Sequence, residues 1–298
     1  MREQKKQEKA KPFLLDGALV ARALFERAAR SSASFVEKTQ TRPGLCVIRV
    51  GDFAPSALYV ARKRQTAEKL GFFFREAHLK AEAKASDILS VIQKNNDDPA
   101  IHGIILQLPL PQGLAADDCL KAISPSKDVD GLHPLSRGML YSPNGDGFVP
   151  CTPWGCLELL KAYDIPIKGK HVVVIGRSVL VGRPLAALFL RCDATVSLAH
   201  RHTVNLEKLA QSADILCVAA GQQKLINQAF VHSNSVVVDV GIHKTATDIC
   251  GDVDFKNVAA KVKAITPVPG GVGPLTVMGL MHNTLKAAFL QCKHSFLW

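Results

Sequence analysis

A chain of 298 residues, 47% hydrophobic and 21% charged, is long enough for about two domains with true cores and is neither disordered nor fibrous in composition. No apolar run approaches the roughly 18 residues of a helical membrane span, so no membrane partner is expected. The formal net charge of +11 points to anionic partners, and without basic residues interleaved with aromatics these are expected to be phosphorylated or polycarboxylate small molecules, not nucleic acid.

The elements alternate along the chain. Residues 1–11 set Arg2, Lys5, Lys6, Lys9 and Lys11 against Glu3 and Glu8, which predicts a disordered basic tail without the h-region of a secretory signal. A helix is predicted near Gly17 to Arg30, then a strand at Leu45–Val50, a helix at Ser56–Leu70 and a strand at Phe72–His78. A helix at Ser86–Asn95, a strand at Ile101–Leu106 and a short helix at Asp117–Ile123 follow, as in an α/β parallel sheet. The turn-rich stretch Tyr141–Gly147 marks the expected domain boundary. Beyond it Thr152 is expected to cap a helix reaching about Tyr163, with Pro153 in its first turn. Strands at His171–Ile175, Ala194–Ala199, Ile215–Ala219 and Ser235–Asp239 and a final helix over Leu275–Gln291 complete the pattern. The glycine-rich loop Pro267–Pro274 precedes that last helix. The eight cysteines are scattered with no Cys-x-x-Cys pair, which suits a reduced, cytoplasmic protein with no metal site.

Gly176-Arg177-Ser178-Val179-Leu180-Val181-Gly182 stands between an apolar strand and a predicted helix, an order that turns backbone N–H groups and a positive helix end toward a diphosphate. The spelling departs from the standard dinucleotide fingerprint. The next strand ends in His200-Arg201-His202, where an NAD site would offer an acid; cations there suit the 2′-phosphate of NADP. An ordinary strand–turn–helix with surface arginines is the alternative. His200 and His202 also have a spacing that metals use, against a place beside the cofactor phosphate.

In the first half, Tyr59 and Lys63 lie four residues apart on one helical face, able to reach the same ligand, unless Lys63 is simply a solvated lysine. Gln107 ends a buried-looking strand, placed either to contact a ligand and hold Lys63 or to satisfy loop backbone groups. Asp130, in Lys127-Asp128-Val129-Asp130-Gly131, is a ligand group or a turn former.

Tyr59-x-x-x-Lys63, Gln107-Leu108-Pro109-Leu110-Pro111, Lys127–Gly131, Pro150-Cys151-Thr152-Pro153, Gly176-Arg177-Ser178-x-x-Val181-Gly182 and Pro269-Gly270-Gly271-Val272-Gly273-Pro274-x-Thr276 occur together and in order. In this the chain, from about Leu15 to Gln291, resembles the bifunctional methylenetetrahydrofolate dehydrogenase/methenyltetrahydrofolate cyclohydrolase family of the bacterial FolD type. The resemblance implies an α/β protein of two domains with a cleft between them. The catalytic folate-binding domain would take residues 12–147 and 275–298, and the Rossmann-like NADP-binding domain 148–274. It implies a homodimer that oxidises 5,10-methylenetetrahydrofolate with NADP and hydrolyses the methenyl product to 10-formyltetrahydrofolate, in one-carbon metabolism and purine biosynthesis. By the same resemblance Lys63 is the acid/base, Tyr59 stacks on the folate, Gln107 positions Lys63 and Asp130 grips the pterin. Leu106, Leu108, Pro269, Gly270, Gly273 and Thr276 would line the folate side; Gly176, Arg177, Ser178, Arg201, Gly221 and Ile242 would hold NADP. Two departures stand out: Leu275 where the family usually has Met, and Arg201 at a position that is often Ser. A rival, a two-domain NADP dehydrogenase resembling the shikimate type, would reduce a small carbocyclic ketone and ignore folates.

Overall fold

Apolar runs without polar alternation, Gly44–Val50 and His171–Ile175, become inner strands of two separate parallel sheets, as expected where both faces of a strand are covered. The computed structural model describes residues 12–142, 145–244, 248–296 and 298. The expected basic tail at 1–11 lies outside the described residues, as do Pro143 and Asn144 of the turn-rich stretch.

The chain runs through β1 (Phe13–Leu14), α1 (Gly17–Thr39), β2 (Gly44–Val50), α2 (Ala54–Lys69), β3 (Phe73–Leu79), α3 (Ala85–Asp97), β4 (Gly103–Leu106), α4 (Ala116–Ala122), α5 (Pro134–Met139) and α6 (Cys151–Ala162). It continues through β5 (His171–Ile175), α7 (Gly182–Arg191), β6 (Thr195–Ala199), α8 (Leu206–Gln211), β7 (Ile215–Val218) and β8 (Val236–Asp239). The short pair β9 (His243–Lys244) and β10 (Ile249–Cys250), then α9 (Phe255–Ala259), β11 (Ala264–Ile265) and α10 (Val272–Gln291), complete it. Leu19–Glu158 with Pro274–Trp298 forms one unit, and Leu159–Gly273 with the described residues up to Ala18 forms the other.

The first unit is built on a parallel sheet of order β3-β2-β4, with Val47 registered against Glu76 on one side and Ile105 on the other. Ile88 and Ile92, one turn apart on α3, join Cys46, Ile48, Ile104 and Leu106 in its core. Each such burial contributes about 1.5–3 kcal/mol. Helix α1 continues to Thr39, past the expected end near Arg30. The run Ser31–Ser34 hides this in the sequence because serine is a middling helix former. In the fold the Ser32 hydroxyl donates to the Leu70 carbonyl at 2.7 Å and Phe35 is fully buried, so packing holds the last turns.

The second unit carries an all-parallel sheet of order β1-β11-β8-β7-β5-β6. From β5 the chain goes outward to β6 on one side and then builds β7 and β8 on the other, which makes the carboxyl ends of β5 and β7 a topological switch point. That is where an open α/β sheet leaves a crevice for a ligand.

The partition departs from the expected break at 147/148. The first half of α6 stays with α10, because Gly155 faces α10 so closely that a Cβ there would stand 2.8 Å from that of Leu275. At the other end Phe13–Leu14 pairs with β11, giving the second unit a strand from the start of the chain. Two helix starts also differ. Helix α6 begins at Cys151, its first bond running from Trp154 N–H to the Pro150 carbonyl, so Thr152 lies inside the first turn. Helix α10 begins at Val272, which puts Gly273 and Pro274 in its first turn, where a proline lacks nothing the helix needs.

Candidate functional site

Helix α2 carries Tyr59 and Lys63 one turn apart, with Tyr59 37% exposed and Lys63 only 8%. Strand β4 delivers Gln107, whose N–H continues the sheet by donating to the Ile48 carbonyl at 2.8 Å. The Gln107 amide is oriented by its own neighbour: Nε2 donates to the Leu108 carbonyl at 2.7 Å. Its oxygen is thereby left to accept from Lys63 Nζ at 2.9 Å. Burial pulls the Lys63 ammonium below its ordinary value, and the negative charge of Asp130 opposes that pull. Burial in turn raises the Asp130 carboxyl, opposed by the Lys63 charge and by a hydrogen bond from the Cys151 thiol. A desolvated lysine beside one carboxylate and one neutral amide is equipped to take and return protons.

The two aspartates of Lys127–Gly131 separate cleanly. Asp128 is buried and accepts from Leu132 N–H at 3.1 Å and His133 N–H at 2.9 Å; it builds the turn, and burial pushes its carboxyl up to about 6. Asp130, not Asp128, is the one coupled to Lys63. The neighbouring backbone is fixed by Asn283 of α10, whose amide donates to the carbonyls of Val129 at 2.9 Å and Val149 at 2.8 Å. Asn283 and Cys151 were not singled out from the sequence for this site. Cys151 lies in the quoted Pro-Cys-Thr-Pro motif; Asn283 sits in an apolar helix, and a polar residue that the helix buries was its only signal.

Of the expected folate-side residues, Thr276 shares a hydrogen bond with Thr152, Oγ1 to Oγ1 at 3.0 Å, and this occupies the hydroxyl expected to cap α6. Leu108 packs half-buried at the edge of the core. Leu106 is 1% exposed and its side chain belongs to the core, because the inner face of β4 turns it there. Pro269, Gly270 and Gly273 belong to the second unit.

In the second unit Gly176 follows β5 with φ of +114°, and a Cβ there would collide with the Ala219 carbonyl after β7. Only glycine lets these two strand ends close up at the switch point. The Ser178 hydroxyl accepts from the N–H groups of Val181 at 3.2 Å and Gly182 at 3.4 Å, so it caps the loop and keeps its own proton to donate. Arg177 and Arg201 are exposed, and no acid stands between Ala199 and Asn205. The turn after β6 is closed by His200 N–H to Thr203 Oγ1 at 2.9 Å, and Arg201 Nε donates to His202 Nε2 at 3.1 Å. Partial burial and the nearby Arg177 cation hold His200 below its ordinary value. Gly221 follows β7, and Ile242 follows β8, 48% exposed. A glycine cradle with cations at the second strand end fits a dinucleotide bearing a 2′-phosphate. Among the described residues no group of three or more His, Cys, Asp or Glu is placed to hold a metal, and no helix is long and apolar enough to cross a membrane.

Residues 15–130 match the family model described as tetrahydrofolate dehydrogenase/cyclohydrolase, catalytic domain, and residues 150–292 match its NAD(P)-binding domain. The chain is similar to the bifunctional protein FolD of Chlamydia caviae, 45% identical over 285 residues that cover 92% of this chain and 98% of that protein. Among solved structures it is similar to the bifunctional FolD methylenetetrahydrofolate dehydrogenase/cyclohydrolase of Campylobacter jejuni, with a TM-score of 0.90, 42% identity and coverage of 92% and 98%. It is also similar to the methylenetetrahydrofolate dehydrogenase-cyclohydrolase of Trypanosoma brucei, solved with NADP cofactor and an inhibitor: TM-score 0.91, 33% identity, coverage 96% and 99%.

Proposed function

Because the chain belongs to the tetrahydrofolate dehydrogenase/cyclohydrolase family, we propose that Lys63, Gln107, Tyr59 and Asp130 form the folate site of an enzyme with both of its activities. The protein oxidises 5,10-methylenetetrahydrofolate to the methenyl compound with NADP and hydrolyses that product to 10-formyltetrahydrofolate. NADP, when bound, supplies the acceptor for the hydride of the one-carbon bridge. Gly176, Arg177, Ser178, Arg201, Gly221 and Ile242 hold it in the second unit.

The observation that carries the proposal is the buried ammonium of Lys63 fixed at 2.9 Å on Gln107 with Asp130 as its counter-charge. In the hydrolysis, water adds to the methenyl carbon and one proton is released. The bond from that carbon to N5 then breaks as N5 takes up the proton of the new hydroxyl. Lys63 moves these protons, Gln107 keeps its nitrogen in place, Tyr59 stacks on the folate and Asp130 accepts hydrogen bonds from the aminopyrimidinone ring. Absorbance change on 5,10-methylenetetrahydrofolate with NADP, and with NAD in parallel, tests the whole reading; no turnover with either would overturn it.

Two variants separate the partners. Asp130→Ala is expected to weaken direct folate binding and impair both activities while NADP binding persists; unchanged folate affinity in the folded variant would return Asp130 to a turn-forming role. Arg201→Ser is expected to raise KM for NADP about tenfold to a hundredfold and leave NAD nearly untouched, since one charge-assisted hydrogen bond to phosphate contributes roughly 1.5–3 kcal/mol. Equal efficiency of the unmodified protein with NADP and NAD would sink the phosphate reading. The family resemblance further supports a cytoplasmic homodimer that supplies 10-formyltetrahydrofolate to purine biosynthesis, and a monomeric mass by light scattering would contradict the dimer.

A further inference from the structure

Two buried carboxylates in the second unit take no part in the chemistry above, and both are spent on backbone. Asp252 is fully buried; its Oδ2 accepts from the N–H of Ala220 at 2.6 Å and of Gly221 at 2.9 Å. Its Oδ1 accepts from His243 Nε2 at 2.6 Å. Asp239, at the end of β8, accepts with Oδ1 from the N–H groups of Gly241 and of Asp252 itself, each at 3.0 Å, and with Oδ2 from Val253 at 2.9 Å. The segments pack so closely that a Cβ on Gly251 would collide with the Asp239 carboxylate. The pair thus ties three segments together: the turn after β7, the turn after β8 and the strip from Gly251 to Val253.

The first of these is the segment that presses on Gly176. Ala219, whose carbonyl excludes any side chain at 176, precedes the two residues whose N–H groups Asp252 holds. The second carries Ile242, next to His243. A neutral amide has a single acceptor oxygen and could not accept on both sides as each of these carboxylates does. Against that, two adjacent buried carboxylates cost desolvation: Asp239 is pushed up to about 6 by burial, with the Asp252 charge adding to it. What charge adds is bonds roughly twice as strong, and therefore a stiffer turn.

We infer that Asp252, braced by Asp239 and His243, is a positioning residue that fixes the turn after β7 and the turn bearing Ile242 in the geometry that receives the pyridine nucleotide. The inference rests on the reading that this unit holds NADP. Folate chemistry at Lys63 and Gln107, in the other unit, does not depend on it.

The test uses the full chain and the variants Asp252→Asn, Asp252→Ala and His243→Gln. NADP binding is measured directly by titration calorimetry, and hydrolysis of methenyltetrahydrofolate is followed with no nucleotide present. Asp252→Asn, which keeps shape and one acceptor, is expected to weaken NADP binding about tenfold, and Asp252→Ala about a hundredfold. His243→Gln, which keeps a donor, should fall between the parent and Asp252→Asn. Nucleotide-free hydrolysis should stay within about twofold of the parent throughout, and KM for NADP should rise far more than kcat falls. If Asp252→Ala does not fold, the graded order of the other two carries the result. NADP binding by Asp252→Asn within twofold of the parent would overturn the inference, as would hydrolysis falling in step with binding, which marks a purely structural residue. A parent that does not bind NADP at all would instead overturn the cofactor reading, and the inference with it.

Discussion

Replacing Lys63 by methionine is expected to lower methenyltetrahydrofolate hydrolysis by at least about a hundredfold while part of the dehydrogenase activity persists. Methionine keeps a long apolar stem in a site where only 8% of the lysine is exposed, and removes only the ammonium that Gln107 holds. Hydrolysis needs protons to leave the attacking water and reach N5, and positioned acid/base catalysis is typically worth about 10²–10⁴-fold. Oxidation of the methylene bridge needs the same folate pose but no obligatory proton from the enzyme. Methenyltetrahydrofolate should therefore accumulate, visible by its near-ultraviolet absorbance. Both activities would be assayed on one preparation, with circular dichroism to confirm the fold. Hydrolysis within a few-fold of the parent would make Lys63 an ordinary helix lysine and the site assignment wrong.

Gly176→Ala should be the most damaging small substitution in the second unit. A Cβ there meets the Ala219 carbonyl, and φ of +114° is strained for any L residue, at about 1–3 kcal/mol before the collision is counted. The thermal midpoint should fall by roughly 5–10 °C, and NADP binding by more than tenfold, as the ends of β5 and β7 are forced apart. Gly221→Ala is the control. Its φ of +69° carries a conformational cost, but no atom lies within 4 Å of the added carbon, so its midpoint should fall by less than half as much. Equal shifts would mean that backbone conformation, not the close approach, governs the first position.

Long apolar runs announced the parallel strands, as Val172–Ile175 and Leu45–Val50 illustrate: a strand covered on both faces shows no polar alternation to confuse. Phe13–Leu14 and Ala264–Ile265 stayed invisible because two residues have no period. The spacing of Tyr59 and Lys63 is a property of one helix and was therefore legible. Whether Asp130 serves a ligand or the turn was left open by the sequence, because that depends on the neighbouring Asp128, whose carboxylate the turn consumes. Thr152 looked like a helix cap because its partner, Thr276, lies on an element far along the chain. The Asp239–Asp252 brace was hidden too: Asp239 reads as the end of a strand, and nothing in the sequence shows its carboxylate taking the N–H groups of Asp252 and Val253.

The edge strand at 13–14 has a consequence for how the protein is made. Phe13 and Leu14 are synthesised about 250 residues before their pairing partners Ala264 and Ile265. At about 5–20 residues per second, the leading segment waits roughly 10–50 s for its place in the sheet. Leu15, fully buried in the finished protein, is meanwhile left without its final surroundings. A nascent chain stalled before residue 264 therefore has an apolar segment at 13–15 that cannot yet be paired, a stretch for a chaperone to hold until Ala264 and Ile265 have been made.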